Sequence, residues 1–174
     1  GGLKNLEQAK KIFNFGIEKI ALSSVIFDNL DIVSKISNFS GTNSTVVVLD
    51  IKRVNNEYSI FINNEKTKID KNIVDLIKKL EDLGMGEIVI NSIDRDGTMK
   101  GYDLDLIDLF FNHTKVPLTI LGGAGSFLDI EKAVQRYGNI GISCGSLFVY
   151  KGSRKAVLIN YPQKSDKLGL ILLP

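Results

Sequence analysis

At 174 residues with 44% apolar content, the chain is long enough for one ordinary hydrophobic core and too short for two well-formed domains. A net charge of +2, with lysines spread among acids, offers no basic block for nucleic acid, and no apolar run approaches the ~20 residues of a membrane helix. One cysteine cannot form an internal disulfide, which fits a reducing cytoplasm, and one histidine leaves no histidine cluster for a metal site or a charge relay.

In chain order, Gly1-Gly2 leads into an amphipathic helical stretch and a strand, KIAL at 19–22, closed by Ser23-Ser24. A second apolar run, TVVVLD at 45–50, is followed by VNNEYSIFINNEK. Its Asn-Asn pairs flank alternating apolar residues, which predicts a small hairpin over 55–64 inserted after the strand. Ile73, Ile77 and Leu80 recur at helical spacing and mark one buried face before the strand EIVIN at 87–91. The segment Asp94-Arg95-Asp96-Gly97-Thr98 reads as an Asp-Gly turn, and lacks the later acidic ligands of a calcium loop. His113 reads as a surface residue near a helix end. The strand LTIL at 118–121 then runs into Gly122-Gly123, and Ile130, Ala133, Val134 and Tyr137 mark the next buried helix face. Last comes IGIS at 140–143, followed by Cys144, read as a buried and inert thiol, and by Gly145-Ser146.

Alternating β-branched runs and amphipathic helices predict a parallel sheet with helical crossovers. The strands are nearly all apolar, so they are expected to be covered on both sides, which suits a closed barrel or an open doubly wound sheet. An internal repeat decides between the two. GGLKNLEQAKKIFNFGIEKIALSS aligns with GGAGSFLDIEKAVQRYGNIGISCGS, so that Gly2 and Gly123 stand 121 residues apart. Matching turns at that separation fit a (β/α)8 barrel built from two four-unit halves. Five strands plus a leading glycine turn make about the last six βα units of such a barrel. The expectation is one partial-barrel domain over 1–174, two N-terminal units short, with 164–174 as an irregular tail.

In parallel α/β folds the working face lies at the carboxyl ends of the strands. The residues expected there are Asp50 as the catalytic group and Gly2, Ser24, Asn91, Asp96, Gly122, Gly123, Gly145 and Ser146 as substrate- or phosphate-binding residues. The glycine pairs and the small-residue turns precede helices, where exposed amides and the positive end of the helix dipole hold phosphate. Two copies on one face predict a small molecule phosphorylated at both ends. Asp50 ends an apolar run, so its carboxylate is expected to project into the mouth as a proton-transfer group, with pairing to Lys52 or Arg53 as the bland alternative.

NSIDRDGTMKGYDLDLI at 91–107, VVVLDIKRV at 46–54 and the two glycine units resemble the cyclase subunit of imidazole glycerol phosphate synthase, the (β/α)8 barrel of histidine biosynthesis. The similarity runs from Gly1 to roughly Val149. The resemblance implies an enzyme that takes ammonia from a glutaminase (glutamine amidotransferase) partner to cleave and cyclise a bis-phosphorylated ribonucleotide. No cofactor and no metal are implied. Asp50 matches one of the family's two catalytic aspartates. Gly2, Gly123 and Ser146 match its phosphate sites, Lys19 and Glu87 match members of the charged ring through which ammonia enters, and Glu18 would face the glutaminase.

There are departures from that pattern. Ser23-Ser24 stands where the family commonly has Asn-Thr, Asn91 where it often has Thr, and Leu121 where a serine usually precedes the glycine pair. The Leu121 change removes a phosphate hydrogen bond of about 1 kcal/mol or more. Together they resemble a paralogue group that pairs with its own amidotransferase to amidinate a surface-polysaccharide sugar. The other catalytic aspartate is expected 121 residues before Asp50, ahead of Gly1, so this polypeptide alone is expected to be poorly stable and nearly inactive. A remnant that binds phosphates or a partner without catalysis is the third reading.

Overall fold

The computed structural model describes residues 2–152, 156–159 and 161–163, so Gly1 and the 164–174 tail of the sequence reading lie outside the described residues. Helix α1 (Leu6–Asn14) precedes strand β1 (Ile20–Leu22), and two helices, α2 (Val25–Asp28) and α3 (Ile32–Ser40), return the chain to β2 (Thr45–Val54). A meander of β3 (Glu57–Ile62) and β4 (Thr67–Ile69) comes next, then α4 (Ile73–Asp82), β5 (Glu87–Ser92), α5 (Leu104–Phe111), β6 (Leu118–Leu121), α6 (Phe127–Tyr137), β7 (Gly141–Ile142) and α7 (Ser146–Val149). A small pair, β8 (Tyr150–Lys151) and β9 (Ala156–Val157), follows.

Local chemistry sets the helix boundaries. Asn5, Asn72 and Asp103 each accept a backbone N–H of the first turn of α1, α4 and α5, and Ser126 forms a reciprocal capping box with Asp129 at α6. Gly138 closes α6 at φ +67°, a conformation that glycine adopts without steric cost.

Strands β1, β2, β5, β6 and β7 lie side by side in chain order and all pair in parallel. Sequential parallel neighbours joined by helices form an arc of the (β/α)8 barrel. One side of the arc packs under the helices. Leu22, Val47, Leu49, Ile51, Ile88, Ile90, Leu118 and Ile120 are all buried there, with Ile36, Ile77, Leu80 and Phe110 in the same core. Fully burying each such side chain contributes roughly 1.5–3 kcal/mol.

The other side departs from the expectation that both faces are covered. Val48, Asp50, Val89, Asn91, Thr119 and Leu121 alternate with the buried set and are only half-buried. Among the described residues β1 and β7 do not pair with each other, so the arc is open and its concave face stays accessible.

The inserted hairpin differs from expectation in its root. Strand β2 does not stop at Asp50 but continues to Val54, because β3 pairs with residues 50–54 on the edge that β1 occupies lower down. Asn55 and Asn56, both at positive φ, make the turn into β3, as a tight hairpin requires.

Candidate active site

The concave face carries chemistry at both ends. At its lower end, the start of the strands, Lys19 Nζ donates to Glu87 Oε2 at 2.7 Å and Thr119 Oγ1 donates to Glu87 Oε1 at 2.8 Å. Burial by itself raises the Glu87 carboxyl, but the hydrogen bonds from Lys19 and Thr119, with the ammonium charge, outweigh it and hold the group below its usual range. Gly141 makes room for this cluster, because a Cβ there would lie 2.0 Å from Thr119 Oγ1.

Glu87 and Asn91 share a face of β5, four residues and so about 13 Å apart along the strand. Between the two levels the lining is Val48 and Val89, which are in register. At the upper end Asp50 and Asn91 are also in register, and Asn91 Nδ2 donates to Asp50 Oδ1 at 2.9 Å. Asn91 Oδ1 is buried and has no hydrogen-bond partner among the described residues, an arrangement that costs about 1–3 kcal/mol.

Asp50 is not the partner of its basic neighbours. Lys52 pairs with Glu65 at 2.5 Å, an interaction that raises the lysine's proton affinity, and Arg53 reaches Asp105 at 2.9 Å and the Tyr58 hydroxyl. Tyr58 in turn donates to Asp103 at 2.8 Å, and its own ionisation is pushed up to about 12 by burial. The Arg53 N–H donates to Asp94 at 2.8 Å. This network fastens the β2–β3 hairpin to the loop after β5.

That loop turns tightly. The Asp96 N–H donates to Ser92 O at 2.9 Å and the Thr98 N–H to Arg95 O at 3.0 Å, as the Asp-Gly reading expects. It packs directly on the second glycine pair, where Gly101 N–H donates to Gly123 O at 2.8 Å. Gly122 and Gly123 have φ of +94° and +113°, and a Cβ on Gly123 would lie 2.3 Å from Gly101 O. Asp96, Gly122, Gly123, Gly145 and Ser146 line one narrow cleft, together with Leu121 and Cys144.

One expectation about these turns needs correction. The N-terminus of α6 is not open to a phosphate, because the Asp129 carboxylate already accepts from the Gly125 and Ser126 N–H groups at 3.1 and 2.9 Å. Gly2 borders a groove with Lys11, Lys19, Ile20 and Ala21, whereas Ser24 is an exposed residue at the start of α2 and lies outside that groove.

His113 is exposed, with Nδ1 2.7 Å from Leu109 O, as expected of a surface residue at a helix end. The Cys144 thiol lies 3.5 Å from the Tyr102 hydroxyl, and burial raises it above the usual thiol range, which disfavours the reactive thiolate. Among the described residues, no helix is long and apolar enough to cross a membrane.

A family profile described as "Histidine biosynthesis protein" matches residues 1–154. The chain belongs to that family. It is 48% identical over 172 residues to the "Putative imidazole glycerol phosphate synthase subunit HisF" of Leptospira interrogans, covering 98% of this chain and 68% of that protein. A "Putative imidazole glycerol phosphate synthase subunit hisF3" of Vibrio vulnificus is 46% identical over 169 residues, which is 96% of this chain and 65% of the relative. The "Imidazole glycerol phosphate synthase subunit HisF" of Sulfolobus acidocaldarius is 36% identical over 129 residues, covering 74% and 52%. The chain thus spans about two thirds of the length of the Leptospira interrogans and Vibrio vulnificus relatives.

Within this histidine biosynthesis fold, sequence reasoning passed over Thr119, Gly141 and the Arg53–Tyr58–Asp103–Asp105 network. Strand alternation carried the signal for Thr119, since it lies two residues before Leu121 on the same face. Nothing local could have paired Tyr58 with Asp103.

Proposed function

We propose that this chain belongs to the cyclase subunit of an imidazole glycerol phosphate synthase, a lyase-type enzyme of the cytoplasm that receives ammonia from a glutaminase partner. The observation that carries the reading is the concave face. An ion pair, Lys19–Glu87, sits at one end, a valine belt follows, and a carboxylate, Asp50, stands at the other.

Each part has a chemical task in that reaction. Neutral ammonia enters past the paired charges and crosses an apolar stretch that offers it no proton. Asp50 then serves as general acid/base while the nitrogen attacks a phosphoribulosyl-formimino carboxamide ribonucleotide, giving imidazole glycerol phosphate and an aminoimidazole carboxamide ribonucleotide. One phosphate of that bis-phosphorylated substrate occupies the cleft of Gly122, Gly123, Gly145 and Ser146. Loops after the last two strands of such barrels form a recurrent phosphate site. Asp96, which lines the same cleft, would repel a phosphate at close range and suits a sugar hydroxyl donor instead. Gly2 and Ser24 are proposed for the other phosphate.

The glutaminase would dock at the lower end. Glu87 borders a groove with Phe111, Val116 and Pro117, and Phe15 and Ile17 near Glu18 are 86% and 48% exposed. Such apolar surface beside a charged opening suits a protein partner.

The test is rescue of a histidine auxotroph lacking the cyclase by the complete gene, paired with its glutaminase, and by the Asp50→Asn variant. Growth with the parent gene and loss of about 100-fold or more in ammonia-dependent turnover with the variant are expected. Soluble expression without rescue or product would defeat the histidine-type reading and turn attention to sugar amidination.

A further inference from the structure

We infer that Asn91 is a positioning residue for Asp50, which it holds in one orientation at the mouth, and not a ligand of the substrate's phosphate. The inference deepens the cyclase reading and rests on it for the identity of the reaction.

Asn91 and Asp50 occupy facing positions on neighbouring parallel strands, and the amide nitrogen donates to the carboxylate at 2.9 Å. With the NH2 turned toward Asp50, the carbonyl of the same amide points away. The carbonyl then faces the glycine turn, where a Cβ on Gly122 would stand 3.2 Å from it. There it is buried without a donor among the described residues. A side chain serving the fold alone would not need that orphaned acceptor, and two residues earlier on the same face the chain uses Val89. What Asn91 turns toward the cleft-lining Gly122 is its carbonyl, an acceptor that can donate nothing to a phosphate. Lys52 and Arg53, the other groups able to hold Asp50, are engaged by Glu65 and by Asp105 with Tyr58. The orientation of the carboxylate therefore depends on a single amide among the described residues.

The experiment has a kinetic arm and a spectroscopic arm. In the full gene product with its glutaminase and saturating ammonium, Asn91→Leu is expected to lower kcat about 100-fold while KM stays within about twofold. Affinity for inorganic phosphate should not change, and Asn91→Thr, which keeps a donor, should recover part of kcat. A raised KM and weakened phosphate binding with kcat held would overturn the inference in favour of a substrate contact. In the second arm, the side-chain amide 15N–1H signal of Asn91 is followed in the parent and in Asp50→Ala. A shift on loss of the carboxylate is expected, and an unmoved signal refutes the pairing. If the parent protein turns over nothing, the cyclase reading falls by itself and the amide signal still decides whether Asn91 holds Asp50.

Discussion

Gly123→Ala tests how the cleft proposed to hold a phosphate is built. The substitution adds a Cβ 2.3 Å from Gly101 O, a backbone atom that cannot rotate away, at a residue whose φ is +113°. Holding a non-glycine residue in that region costs roughly 1–3 kcal/mol. If the two loops separate to relieve the clash, the Gly101 N–H to Gly123 O bond is lost as well, which adds about 1 kcal/mol. The sum, about 2–4 kcal/mol, corresponds to a fall in Tm of roughly 5–15 °C for a chain of this size. Gly145→Ala is the control. Gly145 lines the same cleft but has φ −107° and nothing within 4 Å of its added Cβ. Urea unfolding gives the stability difference, and calorimetric titration with inorganic phosphate gives the affinity of the cleft. Gly123→Ala should lose both and Gly145→Ala should leave stability unchanged. An unaltered unfolding midpoint and phosphate affinity in Gly123→Ala would refute the claim that contact between these loops shapes the site.

Two further outcomes are expected. The Glu87 carboxyl is held below its ordinary value of 4.5, so its contribution to stability is fully present above that pH and is lost as pH falls through the lower folded value. Thr119→Val removes one of the donors, and should cost about 1 kcal/mol at neutral pH and move the acid limb of the stability curve upward. Urea midpoints measured across the acid range check this, and an unmoved limb would show that Thr119 does not act through Glu87. At the β2–β3 turn, Asn56 has φ +66°, so Asn56→Gly relieves a left-handed conformation and should hold or raise stability, by a few tenths of a kcal/mol at most. Asn56→Val should lose about 1 kcal/mol or more in the same unfolding assay.

The parallel strands and the buried helix faces were legible because apolar periodicity is a local property. Ile73, Ile77 and Leu80 read the same way in the sequence and in the core. The extension of β2 was not. Lys52 and Arg53 look like the start of a loop, and they are strand residues only because β3 folds back along their edge. The second glycine pair was found as punctuation, but the physical need for it comes from Gly101 and Ser92, which lie in a different loop. The phosphate expectation at the head of α6 failed for a local reason that could have been read. Ser126 and Asp129 stand three residues apart as a capping box, and such a helix end satisfies its own amides. The half-burial of the concave face follows from the arc being open among the described residues, and composition does not distinguish its two sides. Val48 and Val89 carry no mark of which side of the sheet the helices take.

Strand β2 exchanges one neighbour for another partway along its length. Residues 45–47 are paired to β1 and residues 50–54 to β3, while β5 runs along the opposite edge from 46 to 51. Asp50 is the first residue after the handover. Its backbone is clamped from both flanks by elements that arrive from different parts of the chain, so displacing it requires two independent ladders to yield together. Amide exchange should therefore be slow at Asp50 and Ile51 and faster at Val48 and Leu49, which lean on a single neighbour. The residue proposed to handle protons would then sit on one of the least yielding pieces of backbone in the sheet, and adaptation to different substrates would fall to the loops around it.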